Sequence, residues 1–180
     1  MSTDAPVHEW RSADDGQPVR ITGGCQCGAV RYALHRRPAR PCVCHCRMCQ
    51  KASGNLFGTF AGVAGEHFEL TRGQFGAFQT SFEAERCFCA ACGTPLAYRM
   101  LDGSWVSVTI GSLDQPEAMQ PNHFYGEEGR IPWTAEAAAH PATITGIDAS
   151  PDHVDHLRRT NRQHPDYDTE TWPPEGQYNG

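Results

Sequence analysis

Nine of the 180 residues are cysteine, at positions 25, 27, 42, 44, 46, 49, 87, 89 and 92, and none follows Cys92. A cysteine sulfur is a nucleophile or a metal ligand once it is a thiolate. Disulfides are the competing explanation, but the count is odd and the spacing is wrong. Cys25-Gln-Cys27, Cys44-His-Cys46 and Cys87-Phe-Cys89 hold their partners too close together for comfortable disulfide geometry. Inert core thiols would be scattered on apolar faces, whereas these are clustered. Metal binding accounts for the pattern best.

A structural zinc site needs four ligands at tetrahedral corners, with Zn–S near ~2.3 Å. A Cys-x-x-Cys turn aims two sulfurs at one point. A Cys-x-Cys pair does the same on a strand, where residues i and i+2 share a face. One template occurs twice: Cys44-x-Cys46-x-x-Cys49 and Cys87-x-Cys89-x-x-Cys92. Cys25-x-Cys27 adds a further pair and Cys42 stands alone, so two zinc ions per chain are expected. Spacing permits Cys46, Cys49, Cys89 and Cys92 in one site with Cys25, Cys27, Cys42 and Cys44 in the other. It equally permits Cys25, Cys27, Cys89 and Cys92 together, leaving Cys44, Cys46 and Cys49 as a three-thiolate set. Ferredoxin-type iron–sulfur spacings do not match.

Composition narrows the partners. Fifteen basic and twenty-one acidic side chains give a net charge of −6. No basic block exceeds Arg36-Arg37, which argues against a nucleic-acid partner. Apolar runs fall far short of the ~20 residues of a membrane helix. The beginning, Met1 to Trp10, has no basic stretch leading into an apolar run, so no secretory signal is expected and the cytoplasm is the expected compartment. Its reducing conditions also disfavour disulfides.

Gly23-Gly-Cys-Gln-Cys-Gly-Ala-Val-Arg-Tyr32 resembles the opening of the glutathione-dependent formaldehyde-activating enzyme family, abbreviated GFA. Cys44-His-Cys-Arg-Met-Cys-Gln-Lys-Ala-Ser-Gly54 and Phe88-Cys-Ala-Ala-Cys-Gly-Thr-Pro-Leu96 resemble its second and third motifs. Gly111-Ser-Leu-Asp114 and Pro132-Trp133 resemble later markers, so the likeness spans roughly residues 21 to 147. The resemblance implies a mainly β, zinc-holding fold, the β-tent of short antiparallel strands with few short helices. It implies a structural zinc on Cys25, Cys27, Cys89 and Cys92, and a second, catalytic zinc on Cys44, Cys46 and Cys49. Cys87 is then the candidate fourth ligand of the second site. Cys42 lies outside the pattern and either replaces Cys87 or packs as a small apolar residue. The implied activity is that of a carbon–sulfur lyase, of the S-hydroxymethylglutathione synthase type, with glutathione as the thiol partner and formaldehyde as the electrophile. The alternative is a non-catalytic zinc-stabilised domain whose second site is closed by a fourth thiolate.

These ligands need elements to hold them. Glycine and proline total 31 residues and apolar residues only 39%, which suits many short strands separated by turns. Alternation marks a strand at Val30, Tyr32 and Leu34, and the clearest strand is 104–110, with Val106, Val108 and Ile110 on one side. Segments 56–61, 67–71, 75–82 and 96–98 are further strands, and 135–140 is a helical turn or two. Residues 1–18 read as a flexible tail, 19–147 as the zinc domain, and 148–180 as a helix followed by an extended tail. Ser150-Pro151 is a helix start, a serine cap before proline at the first helical position. That helix runs to about 162 with Val154 and Leu157 inward.

Other polar residues carry weaker chemistry. His45 lies between two ligands and is expected to point away from them, as a surface or supporting histidine. His123 is placed to line a pocket. Arg47 and Lys51 flank the knuckle and suit a glutathione carboxylate. Trp133 is expected to pack over a sheet. The histidines and aspartates of 148–168 read as a polar tail. Phosphate loops, Ser-His-Asp order and a helical His-Glu-x-x-His are absent.

Overall fold

The computed structural model describes residues 18–142, 144 and 150–173. Most of the expected N-terminal tail therefore lies outside the described residues, and Pro18 already opens the first strand. The strands are β1 (Pro18–Gly24), β2 (Arg31–Arg36), β3 (Cys42–Cys44), β4 (Gly58–Ala64), β5 (Phe68–Arg72), β6 (Gly76–Gln79), β7 (Ala84–Phe88), β8 (Pro95–Met100), β9 (Trp105–Thr109) and β10 (His123–Tyr125). Among the described residues two helices, α1 (Arg47–Ser53) and α2 (Pro151–Thr160), complete the set apart from single 3-10 turns. This is the mainly β fold of short strands that the sequence leads one to expect.

Two sheets share the core. The smaller has the order β1-β2-β5, and the larger β10-β3-β4-β9-β8-β7-β6. Among the described residues the strand pairings are antiparallel except β10 with β3, where His123, Phe124 and Tyr125 lie opposite Cys42, Val43 and Cys44. Alternation predicts the core face well. Val30, Tyr32 and Leu34 from the small sheet meet Val106, Val108 and Ile110 from the large one, all buried. Each fully buried aliphatic side chain of this kind contributes about 1.5–3 kcal/mol. The Tyr32 hydroxyl shares a 2.7 Å hydrogen bond with Ser112, so its polar end is satisfied inside the core.

β2 departs from the half-buried strand that its pattern suggests. Arg31 is only 3% exposed, and Ala33 is fully buried, so both faces of β2 are covered. The cover over Arg31 includes the segment after α2. His164 donates its backbone N–H to the Gln26 carbonyl at 2.7 Å, and the Trp172 indole donates to the Cys27 carbonyl at 2.6 Å. Arg72 donates to the Thr169 carbonyl. The segment read as an extended polar tail is thus a strap fixed by hydrogen bonds over the Cys25–Cys27 turn.

Surface expectations fare less well. Trp133 is 54% exposed in a 3-10 turn, Pro132–Ala135, and does not pack over a sheet. In α2 the serine cap is as expected, with Ser150 accepting from the His153 N–H, but Leu157 is 45% exposed.

Candidate functional site

The first cluster is built by two similar turns. Cys25 and Cys27 follow β1, with the Gly28 N–H donated to the Cys25 carbonyl at 3.0 Å. Cys89 and Cys92 follow β7, with the Gly93 N–H donated to the Cys89 carbonyl at 2.8 Å. Gly28 (φ 78°) and Gly93 (φ 79°) each follow the second cysteine of their turn in the left-handed conformation, which a side chain would strain. The four sulfurs lie within 4.8 Å of one another. Cys25 to Cys27 is 3.6 Å and Cys27 to Cys89 is 3.8 Å. Tetrahedral zinc with Zn–S near ~2.3 Å requires sulfurs about 3.8 Å apart, so these residues fit that ion.

Electrostatics separate the four. Burial is the main cause that pushes the Cys25 thiol far up, with Cys89 and Cys27 adding to the rise. Burial also acts on Cys92, but hydrogen bonding from Thr94 and Cys27 together outweighs it and brings the thiol down to about 6. The Thr94 hydroxyl accepts the Gln26 N–H at 3.1 Å and shares a 3.1 Å hydrogen bond with the Cys92 sulfur.

The second cluster lies at the junction of β3 and α1. Cys44 ends the strand, Cys46 caps the helix by accepting the Cys49 N–H at 3.4 Å, and Cys49 sits in the first turn. Their sulfurs also lie within 4.8 Å of one another. Of the pairings that spacing left open, the geometry assembles Cys25, Cys27, Cys89 and Cys92 as one group and Cys44, Cys46 and Cys49 as the other. The Cys44 thiol donates to Cys49, which pushes Cys44 up and brings Cys49 down to about 5, with Arg86 contributing to the fall.

Neither spare cysteine joins the three. Cys87 is 1% exposed and belongs to the apolar core. Strand alternation explains this: Arg86, its neighbour on β7, is the residue that reaches the Cys49 sulfur, at 3.3 Å, so Cys87 projects to the opposite face. Burial pushes the Cys87 thiol up to about 11. Cys42 shares a face of β3 with Cys44 and lines the cavity described next, and burial likewise pushes it up to about 11.

A cavity of about 510 Å³ opens onto Cys44 and Cys49. Phe60, Tyr98, Trp105 and Tyr125 contribute aromatic walls, and Arg37 and Arg40 contribute positive charge. Arg47 and Lys51, the expected carboxylate partners, are instead exposed on α1, outside the lining. His123 is not in the lining either, but its ring lies 4.4 Å from that of Tyr125, which is. Of the two expected places for His45, surface or supporting, the structure gives the second: it is 2% exposed and set between Phe57 and Phe124. Among the described residues neither of its ring nitrogens has a hydrogen-bond partner. Its backbone ties the cluster down, donating to the Tyr125 carbonyl at 2.8 Å and accepting from the Gln50 amide at 2.8 Å.

Arg86 is the residue that sequence reading misses. Its guanidinium lies 5.0 Å from the Tyr98 ring centroid and 5.8 Å from that of Phe60. The available signal was parity on the strand leading to Cys89, where only one of Arg86 and Cys87 can face the second cluster.

Among the described residues no helix is long and apolar enough to cross a membrane. No curated protein matches the sequence. Among solved structures, a Rhodobacter sphaeroides protein from a structural genomics programme matches with 21% identity and a TM-score of 0.47, over 57% of this chain and 98% of that one. The profile described as glutathione-dependent formaldehyde-activating enzyme matches residues 20–128, more than half of the chain and both cysteine clusters. The chain therefore belongs to the glutathione-dependent formaldehyde-activating enzyme family.

Proposed function

We propose that the cavity at Cys44 and Cys49 receives glutathione and joins its sulfur to formaldehyde, or releases the two from their adduct. Family membership supports this reaction class. The observation that carries it is the cavity of about 510 Å³ reaching a cluster of three sulfurs, with neither Cys42 nor Cys87 among them. Cys44, Cys46 and Cys49 would hold one zinc ion, and Cys25, Cys27, Cys89 and Cys92 a second, structural one. Zinc at the three-cysteine cluster would supply an open position that favours the thiolate form of an incoming thiol.

The chain's own residues do the rest. Phe60, Tyr98 and Trp105 wall the reacting groups off from bulk water. Arg37 and Arg40 suit the carboxylates of glutathione. Tyr125 keeps its phenolic proton, because burial pushes its pKa up, and so offers a donor to the aldehyde oxygen. The sulfur lone pair forms the carbon–sulfur bond while the carbonyl π pair moves to oxygen, which takes a proton. The thiol has released one, so the sum is addition of S–H across C=O with no oxidation or reduction. In reverse it cleaves a carbon–sulfur bond, as a lyase does. None of the nine cysteines is joined in a disulfide, which suits a reducing cytoplasm.

A second reading is a non-catalytic domain in which Cys42, already in the cavity wall, turns in to close the cluster. Native mass spectrometry of zinc-loaded protein with glutathione separates the two, followed by isotope exchange between formaldehyde and S-hydroxymethylglutathione. Retained glutathione and faster exchange support the enzyme. Two zinc ions with no adduct and no exchange support the closed domain.

A further inference from the structure

Arg86 carries a permanent charge into a half-buried aromatic slot, and no carboxylate meets it there among the described residues. Among the described residues its Nε is buried with no hydrogen-bond partner, and Nη2 donates to the Cys49 sulfur at 3.3 Å. A cation so placed is costly unless its neighbour is an anion. Arg86 is also absent from the lining of the large cavity, so it reaches Cys49 without occupying the space a ligand would use. It borders instead a smaller cleft with Phe60 and Ser53.

We propose that Arg86 is a positioning residue for the second cluster: its charge and its hydrogen bond to Cys49 damp that one sulfur and let the cluster accept a further thiolate from the cavity. With a divalent ion held there, the three thiolates would sum to −1, and a fourth, from glutathione, would bring the total to −2. Arg86 offsets one unit in each state. The hydrogen bond also withdraws lone-pair density from Cys49, so the ligand sulfur is held back as a nucleophile while the substrate sulfur is not. This second part rests on the function proposed above; the hold of Arg86 on Cys49 does not.

The test uses zinc-loaded full-length protein and the variants Arg86→Gln and Arg86→Lys. Alkylation by iodoacetamide is followed residue by residue by mass spectrometry, and glutathione retention is measured beside it. Loss of a charged hydrogen bond should speed alkylation of Cys49 about tenfold in the glutamine variant while Cys44 and Cys46 change little. The lysine variant should lie between, because it keeps charge but loses the planar fork. Cys25, Cys27, Cys89 and Cys92 report folding, and should stay as protected as in the parent. An unchanged Cys49 rate overturns the proposal. So does an equal rise at all three cysteines or in both clusters, which would mark Arg86 as mere packing. If the parent protein retains no glutathione, the glutathione reading fails and the alkylation rates still decide the role of Arg86.

Discussion

The guanidinium of Arg31 meets the carboxylate of Asp168 across 137 residues of sequence, at 2.9 and 3.1 Å. On its other side Arg31 grips Asp114 with two nitrogens, at 2.8 and 2.5 Å, while Thr22 donates to the same aspartate. One buried arginine thereby joins the small sheet, the loop after β9 and the C-terminal strap. Arg20 adds a second, exposed contact to Asp168 at 3.0 Å. The strap crosses the turn that carries Cys25 and Cys27, so its anchorage bears on the first cysteine cluster.

The two aspartates should not be equal. The Arg31–Asp114 pair is 3% and 8% exposed, whereas Asp168 is 36% exposed. Removing one partner of a buried pair costs about 3–5 kcal/mol, while a partly solvated pair is worth about 1 kcal/mol or less. Asp114→Asn should therefore lower the midpoint of urea unfolding strongly and Asp168→Asn slightly. Equal midpoints for the two variants would refute this ranking.

Acid should loosen the strap in two stages. Burial holds the His164 imidazole below its ordinary value, so the unfolded chain takes up that proton first. Stability that depends on neutral His164 is then lost as pH falls below about 6.5, the unfolded value. Burial raises the Asp168 carboxyl, but Arg31 and Arg20 outweigh it and hold the group below the usual range. Its contribution is present above about 3.9, the unfolded value, and is lost as pH falls through the lower folded one. The protection factor of the His164 amide, its exchange rate divided into the intrinsic rate at each pH, should fall from about pH 6.5 downward. In His164→Gln the first stage should vanish and the second remain.

Metal counting should sort the cysteines. Cys89→Ala removes a ligand from the group that joins two turns, and structural zinc is worth an apparent ~10–16 kcal/mol in small domains. That variant should fail to fold. Cys49→Ala should fold with one zinc ion instead of two. Cys87→Ala should keep both ions and lose about 1–2 kcal/mol, because its sulfur fills core volume. Cys42→Ala should keep both ions with a nearly unchanged Tm. Zinc analysis and thermal unfolding of the four proteins check this directly, and loss of an ion from Cys42→Ala would favour the closed cluster.

The cysteine groups were legible because ligand geometry is local: two atoms per turn must aim at one point, and spacing records that. The assignment of turns to groups was open from spacing, since it depends on sheet order. Val30, Tyr32 and Leu34 were legible through period-two alternation, yet the burial of Arg31 between them was not. Its cover comes from Asp114 and from a polar strap that shows no apolar pattern. Arg86 was hidden for the same reason. Its meaning arises from the pairing of β7 with β8, which sets it beside Tyr98, and from the approach of Cys49, 37 residues away.

Tyr125 offers the most direct test of the chemistry. Parallel pairing of β10 with β3 sets it opposite Cys44, and its side chain lines the cavity with Cys44 and Cys49. Burial raises its pKa, so the phenol remains a donor across the range in which a thiol substrate ionises. An oxygen gaining charge as the carbon–sulfur bond forms is stabilised by such a donor more than the parent aldehyde is. Tyr125→Phe removes the hydroxyl and keeps the ring that packs on His123. It should lower kcat about 10–100-fold, with glutathione affinity little changed, because the loss falls on the transition state. A variant that weakens glutathione binding and leaves kcat intact would instead make Tyr125 a binding residue, with the proton supplied by solvent.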